Sequence, residues 1–105
     1  MELKLDALNI SVENPYVEEN DVFVDFEFDT MNEREVKFFL KVFVGKEEND
    51  CRFSMKCIYI VDIENQFFDE EYIMVRTCVS AISESLIEVI LTLDNLIKKP
   101  KERLN

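Results

Sequence analysis

The chain has 105 residues, 48% of them hydrophobic, with 23 acidic and 12 basic side chains and a formal charge of −11. That length is one ordinary domain, 1–105, and that hydrophobic share is globular rather than disordered. The acidic excess excludes nucleic acid, which proteins grip through Lys and Arg, and works against docking on anionic membranes.

Leu3, Leu5 and Ala7 alternate on odd positions, and Leu8, Ile10 and Val12 then alternate on even ones. A phase switch within one strand predicts a β-bulge near Ala7–Leu8. Asn14-Pro15 ends the strand, because proline lacks the ladder donor. The second run places Val22, Val24, Phe26 and Phe28 on one face and Asp21, Phe23, Asp25, Glu27 and Asp29 on the other. In the third, Val36, Phe38, Leu40, Val42 and Val44 face inward, with Lys37, Phe39, Lys41 and Phe43 outward. The fourth runs from Cys51 to Ile63. Cys51, Phe53, Met55, Cys57, Tyr59, Val61 and Ile63 share one face, and Arg52, Ser54, Lys56, Ile58, Ile60 and Asp62 share the other.

Met31–Arg34 and Gly45–Asp50 read as turns, with Gly45 available for a left-handed conformation. Short polar connections predict antiparallel hairpins for all three strand pairings. The acidic second strand beside the lysine-bearing third sets up cross-strand charge pairs of about 0.2–1 kcal/mol each.

A helix is predicted from about Asp69. The run Asp69-Glu70-Glu71 suits the positive end of a helix dipole, and Asp69 can cap. Val75, Cys78, Val79, Ile82 and Leu86 fall on one face, with Tyr72, Ile73, Met74 and Ile87 off that stripe. Beyond Leu86 the pattern fits two states. Val89, Leu91 and Leu93 alternate like a strand, and a continued helix fits equally. Lys98–Arg103 is a basic, proline-broken run, and 98–105 reads as a flexible tail.

One helix hides one face of a sheet, so the apolar residues of the other face need a partner or hold something apolar. Phe23, Phe39, Phe43, Ile58 and Ile60 on that face, with Val75, Val79 and Ile82 on the helix, are the candidate residues for contact with a client polypeptide or a second subunit. A homodimer or homotetramer is expected. The alternative is a small acidic adaptor that meets one folded partner through Asp21, Asp25, Glu27 and Asp29.

The chain has no His, which removes the commonest general base and metal ligand. One glycine excludes phosphate-cradling loops. Cys51, Cys57 and Cys78 form no CxxC and read as small core residues. No nucleophile–base pair stands out. The expectation is therefore no enzyme, no cofactor and no metal. The start Met1-Glu2-Leu3-Lys4 is unlike a signal peptide and no apolar run is long enough for membrane insertion, so a cytoplasmic protein is expected.

Four strands, the first bulged, then a long amphipathic helix and a short extended segment: this order resembles the SecB-type export chaperones. Ile58-Tyr59-Ile60 is similar to the family's Ile-Phe-Ser-Ile stretch ending its fourth strand. Arg76-Thr77-Cys78-Val79-Ser80 resembles the helix segment Arg-Glu-Cys-Ile-Thr. Ile90-Leu91-Thr92-Leu93 then falls on Gln-Leu-Asn-Leu, which favours an extended segment after the helix. The likeness covers roughly residues 5–93.

It implies an α+β subunit that pairs through sheets and helices into dimers and tetramers, with apolar grooves for unfolded or nascent chains. Lys56-Cys57 stands where the family has a glycine pair, and the proline at its helix start is missing. The acidic residue associated with docking to the SecA motor falls on Arg52, so the likeness does not extend to SecA docking. A diverged member serving another client, such as a toxin–antitoxin partner, fits these departures.

Overall fold

The structure, a computed structural model, describes residues 1–64 and 68–97. Four strands, β1 (Glu2–Val12), β2 (Asp21–Thr30), β3 (Glu35–Glu47) and β4 (Asp50–Asp62), precede one helix, α1 (Glu71–Ile97). This is the expected α+β class with a four-stranded antiparallel sheet. The molecule is a long blade, 59 × 20 × 17 Å.

The strand order is β1-β4-β3-β2. The expected β1–β2 hairpin does not form: β1 pairs with β4, from Glu2↔Asp62 to Val12↔Phe53, and β1 and β2 lie on opposite edges. This is the Greek-key arrangement, in which three hairpin-connected strands are joined by one that returns over a longer connection. Residues 13–20 are long enough to cross the end of the sheet. β1 is equally apolar along its inward face against either neighbour, so alternation alone does not choose between them.

The bulge falls where the phase switch put it. Leu5 pairs with Tyr59 and Ala7 with Ile58, leaving Asp6 as the extra residue. A second bulge has no counterpart in the alternation. Val44 pairs with Phe53 but Gly45 with Cys51, so Arg52 is the extra residue. It shifts Cys51 out of register with Phe53 and turns Arg52 toward the helix. Gly45 lies within β3 rather than in a turn, and the chain reverses at Glu48-Asn49. Its glycine is needed for close approach, since a Cβ there would lie 2.5 Å from the Cys51 Cα.

The helix begins later and ends later than expected. The amide of Met74 bonds to the Glu70 carbonyl, so Glu70 rather than Asp69 occupies the capping position. The expected short extended C-terminal segment is helix. Val89, Leu91 and Leu93 continue α1 to Ile97, because Ile90 extends its buried series. That series is Met74, Cys78, Ile82, Leu86 and Ile90, and it brings Met74 into the core while Val75 and Val79 flank it half-buried. Steps of four residues overshoot a helical turn by about 40° each, so the buried line winds about 160° round the helix between Met74 and Ile90. The expected tail, 98–105, lies outside the described residues.

Candidate functional site

Residues paired across antiparallel strands share a face, so the register defines rows running across the sheet. On the helix face these rows are Val22–Val44–Phe53–Val12, Val24–Val42–Met55–Ile10, Phe26–Leu40–Cys57–Leu8 and Phe28–Phe38–Tyr59–Leu5. Every position is apolar. The two central members of each row are no more than 6% exposed. At the ends, Leu5, Leu8, Ile10 and Val12 of β1 and Val22, Val24 and Phe26 of β2 are between 36% and 53% exposed. Apolar bands therefore run along both margins of the helix face.

The cause is width. Four strands spaced about 4.8 Å apart present a surface wider than one helix of about 10 Å can shade. The helix adds to the surplus, since Ile73, Ile87 and Leu91 are exposed along its flanks. Near β2, Asn20, Val22 and Val44 line a trough with Ile87, Ile90, Leu91 and Asp94. Because the buried line winds, the helix stripe that meets Val22 at this end lies beside Met1 at the other, through Ile73, Thr77 and Ala81.

The open face is of a different kind. Phe23, Phe43, Ile58 and Ile60 are half-buried there and Phe39 is 37% exposed. Its rows alternate in character. Phe23↔Phe43 is followed by Asp25–Lys41–Lys56, then by Glu27–Phe39–Ile58–Ala7, then by Asp29–Lys37–Ile60–Lys4. The charged rows break the apolar ones into islands, and Lys37 Nζ lies 5.5 Å from the Phe39 ring centroid, over its face. The structure thus brings Phe39, Ile58 and Ile60 together and separates them from Phe23 and Phe43. Of the helix residues, Ile82 is 1% exposed and belongs to the core, so it reaches neither client nor partner. Asp21, Asp25, Glu27 and Asp29 are all exposed along edge strand β2.

Arg52 was expected on the open face. It is wholly buried under the helix side instead. Its Nε donates to Asp94 Oδ1 at 2.7 Å, Nη1 to the carbonyls of Val17 (2.6 Å) and Glu19 (2.9 Å), and Nη2 to Asn20 Oδ1 (2.8 Å). One guanidinium ties β4, the β1–β2 connection and the end of α1. A planar fork with several donors suits four acceptors in different directions, and the bonds offset its desolvation. No periodicity signals this residue; the bulge that turns it inward is invisible in the alternation.

At the far end of β4, the Glu64 amide (2.7 Å) and the Arg34 Nε (2.9 Å to each oxygen) converge on Asp62 and hold its carboxyl below the usual carboxylate range. The three thiols are buried, and burial pushes Cys57 up to about 11. Raised thiol pKa values suit inert core residues, not nucleophiles. Among the described residues no group of three or more His, Cys, Asp or Glu is placed to hold a metal ion. No helix among them is long and apolar enough to cross a membrane. The chain matches no family model, no curated protein and no solved structure.

Proposed function

We propose that this chain is a SecB-like, protein-binding subunit that works in the cytoplasm as a homodimer or homotetramer and holds unfolded or nascent polypeptides against apolar surfaces. The observation that carries this reading is the pair of apolar bands flanking α1. Contiguous apolar margins of this kind mark sites for protein contact rather than ordinary solvent-facing surface. They are sequence-tolerant, since burial of methyl and aromatic groups supplies the affinity with no cofactor or reaction. The acidic surface around them limits self-association of loaded subunits.

The resemblance in the helix and fourth strand, together with the bulged first strand, supports the SecB-like part of the reading. Burial of Arg52, where the family's SecA-docking acid falls, argues for a client route other than SecA, in export or toxin–antitoxin control. The test is aggregation of an unrelated unfolding protein, measured with and without an equimolar amount of the chain, alongside its size in solution. Suppression by an oligomer is expected. A strict monomer with no effect on aggregation overturns the reading. The exposed acidic row of β2 favours a second reading, a small adaptor for one folded partner, which a salt-sensitive complex of fixed stoichiometry would reveal.

A further inference from the structure

Among the described residues the four strands leave two free edges, and they are unlike each other. β1 is interrupted by its bulge at Asp6. β2 is regular over its ten residues, from Asp21↔Gly45 to Thr30↔Val36, and among the described residues no strand pairs with its outer side. A long, regular edge with one apolar face is a template for another strand, and charged side chains on its other face restrict which strand can pair.

The side chains of β2 state what that strand must carry. Its open-face row holds Asp21, Asp25, Glu27 and Asp29. Antiparallel pairing of β2 with a second copy of itself sets carboxylate against carboxylate in every register that keeps the apolar faces together and overlaps by more than three residues. Centred on Asp25, for example, the pairs are Asp25 with Asp25 and Asp21 with Asp29. Like charges directly opposite are destabilising, so self-pairing is disfavoured. The inner neighbour, β3, shows the pattern that fits. It sets Lys37 against Asp29 and Lys41 against Asp25, while Phe38, Leu40 and Val42 meet Phe28, Phe26 and Val24 on the helix face.

We propose that the outer edge of β2 takes up an extended polypeptide segment as a fifth strand, and that this segment alternates basic with aliphatic residues, with basic side chains opposite Asp25 and Asp29 as Lys41 and Lys37 are in β3 and a further one opposite Glu27, where β3 has Phe39. Its basic side chains oppose the carboxylates on the open face, and its aliphatic ones cover Val22, Val24 and Phe26. Main-chain hydrogen bonds supply affinity and alternate side chains supply selection. This names a client class for the polypeptide-binding reading and rests on it.

The probe is a capped peptide of about ten residues, matching β2 in length, that alternates Lys with Val; its counterpart alternates Glu with Val. Binding is read by fluorescence anisotropy and by amide hydrogen exchange on the wild-type chain. The expected result is binding of the Lys peptide alone, with new protection confined to alternate amides of β2. The variant Asp25→Asn, Glu27→Gln, Asp29→Asn removes only exposed charge, and it is expected to weaken binding about tenfold. Equal binding of both peptides, or protection on β1 or α1 instead of β2, overturns the proposal. Aggregation suppression with β2 uninvolved leaves the holding function and removes this edge as its site. Peptide on β2 without aggregation suppression does the reverse.

Discussion

The inner strands β3 and β4 and the outer strands β1 and β2 carry the same kind of helix-face residues, yet they meet opposite fates. Phe38 and Tyr59 are closed off under α1, while Leu5, at the end of the same row, is 38% exposed. Composition does not distinguish them; distance from the helix axis does. A single helix shades about two strands, so a four-stranded sheet with one helix has unfinished margins even on its covered face. The expectation that one helix hides one whole face fails for this reason. The surplus apolar surface lies beside the helix as well as behind the sheet, and it is more continuous there than on the charge-broken open face.

The largest expected effect separates centre from margin directly. Phe38 stacks against Phe28 at 5.7 Å and tilts against Phe26 at 6.1 Å between ring centroids. Phe38→Ala empties a closed site and is expected to cost about 4 kcal/mol in urea unfolding. Phe26→Ala, in the margin, is expected to cost about 1 kcal/mol, mostly its ring contact. Both are compared at one protein concentration, because assembly adds stability by mass action. Equal costs would mean that the margins are as closed as the centre, and the contrast between them would be lost.

Next in size is the buried charge of the closed region, Arg52. Arg52→Ala leaves Asp94 and the carbonyls of Val17 and Glu19 without their shared donor, at a cost of about 3 kcal/mol. Arg52→Lys is expected to recover little, because an ammonium cannot reproduce the fork. Hydrogen exchange should show residues 13–20 losing protection first in either variant. If Arg52→Lys unfolds like wild type, the guanidinium is not what pins the β1–β2 connection across the sheet.

Much of this was legible in the chain, and what was hidden has identifiable causes. Period-two alternation placed β2, β3 and β4 and their faces, except at Arg52, where the second bulge intervenes, and the phase switch at Ala7–Leu8 located the first bulge. The pairing partner of β1 was not legible, because β1 offers the same apolar row to either edge. The C-terminal half of the helix was ambiguous because Val89, Leu91 and Leu93 satisfy a strand pattern by accident of spacing, while Ile90 satisfies the four-residue series from Met74. Ile82 was readable on the packing stripe of the helix, but periodicity gives a stripe and not its depth, so its second place among the candidate contact residues was not excluded by the sequence. The open-face aromatics were placed on the right face. Only cross-strand register shows that charged rows divide them, and that the margins of the other face hold the longer apolar bands.

The smallest contrast is confined to a single row, Phe26–Leu40–Cys57–Leu8, where Cys57 in the centre adjoins Leu8 at the edge. Burial raises the Cys57 thiol from 9.0 to about 11, so the fold holds its proton more tightly than the unfolded chain does. The stability this thiol contributes is present in full below pH 9 and is lost as pH rises from there toward 11. The reactive species is the thiolate, whose fraction near neutral pH falls about a hundredfold for that shift alone. In native protein Cys57 should therefore resist a thiol reagent, whereas a cysteine introduced by Leu8→Cys, one strand away, should react close to the rate of a free thiol. Slow labelling at both positions would show that something already covers the β1 margin, and a dilution series would then tell whether that cover is a second copy of the chain.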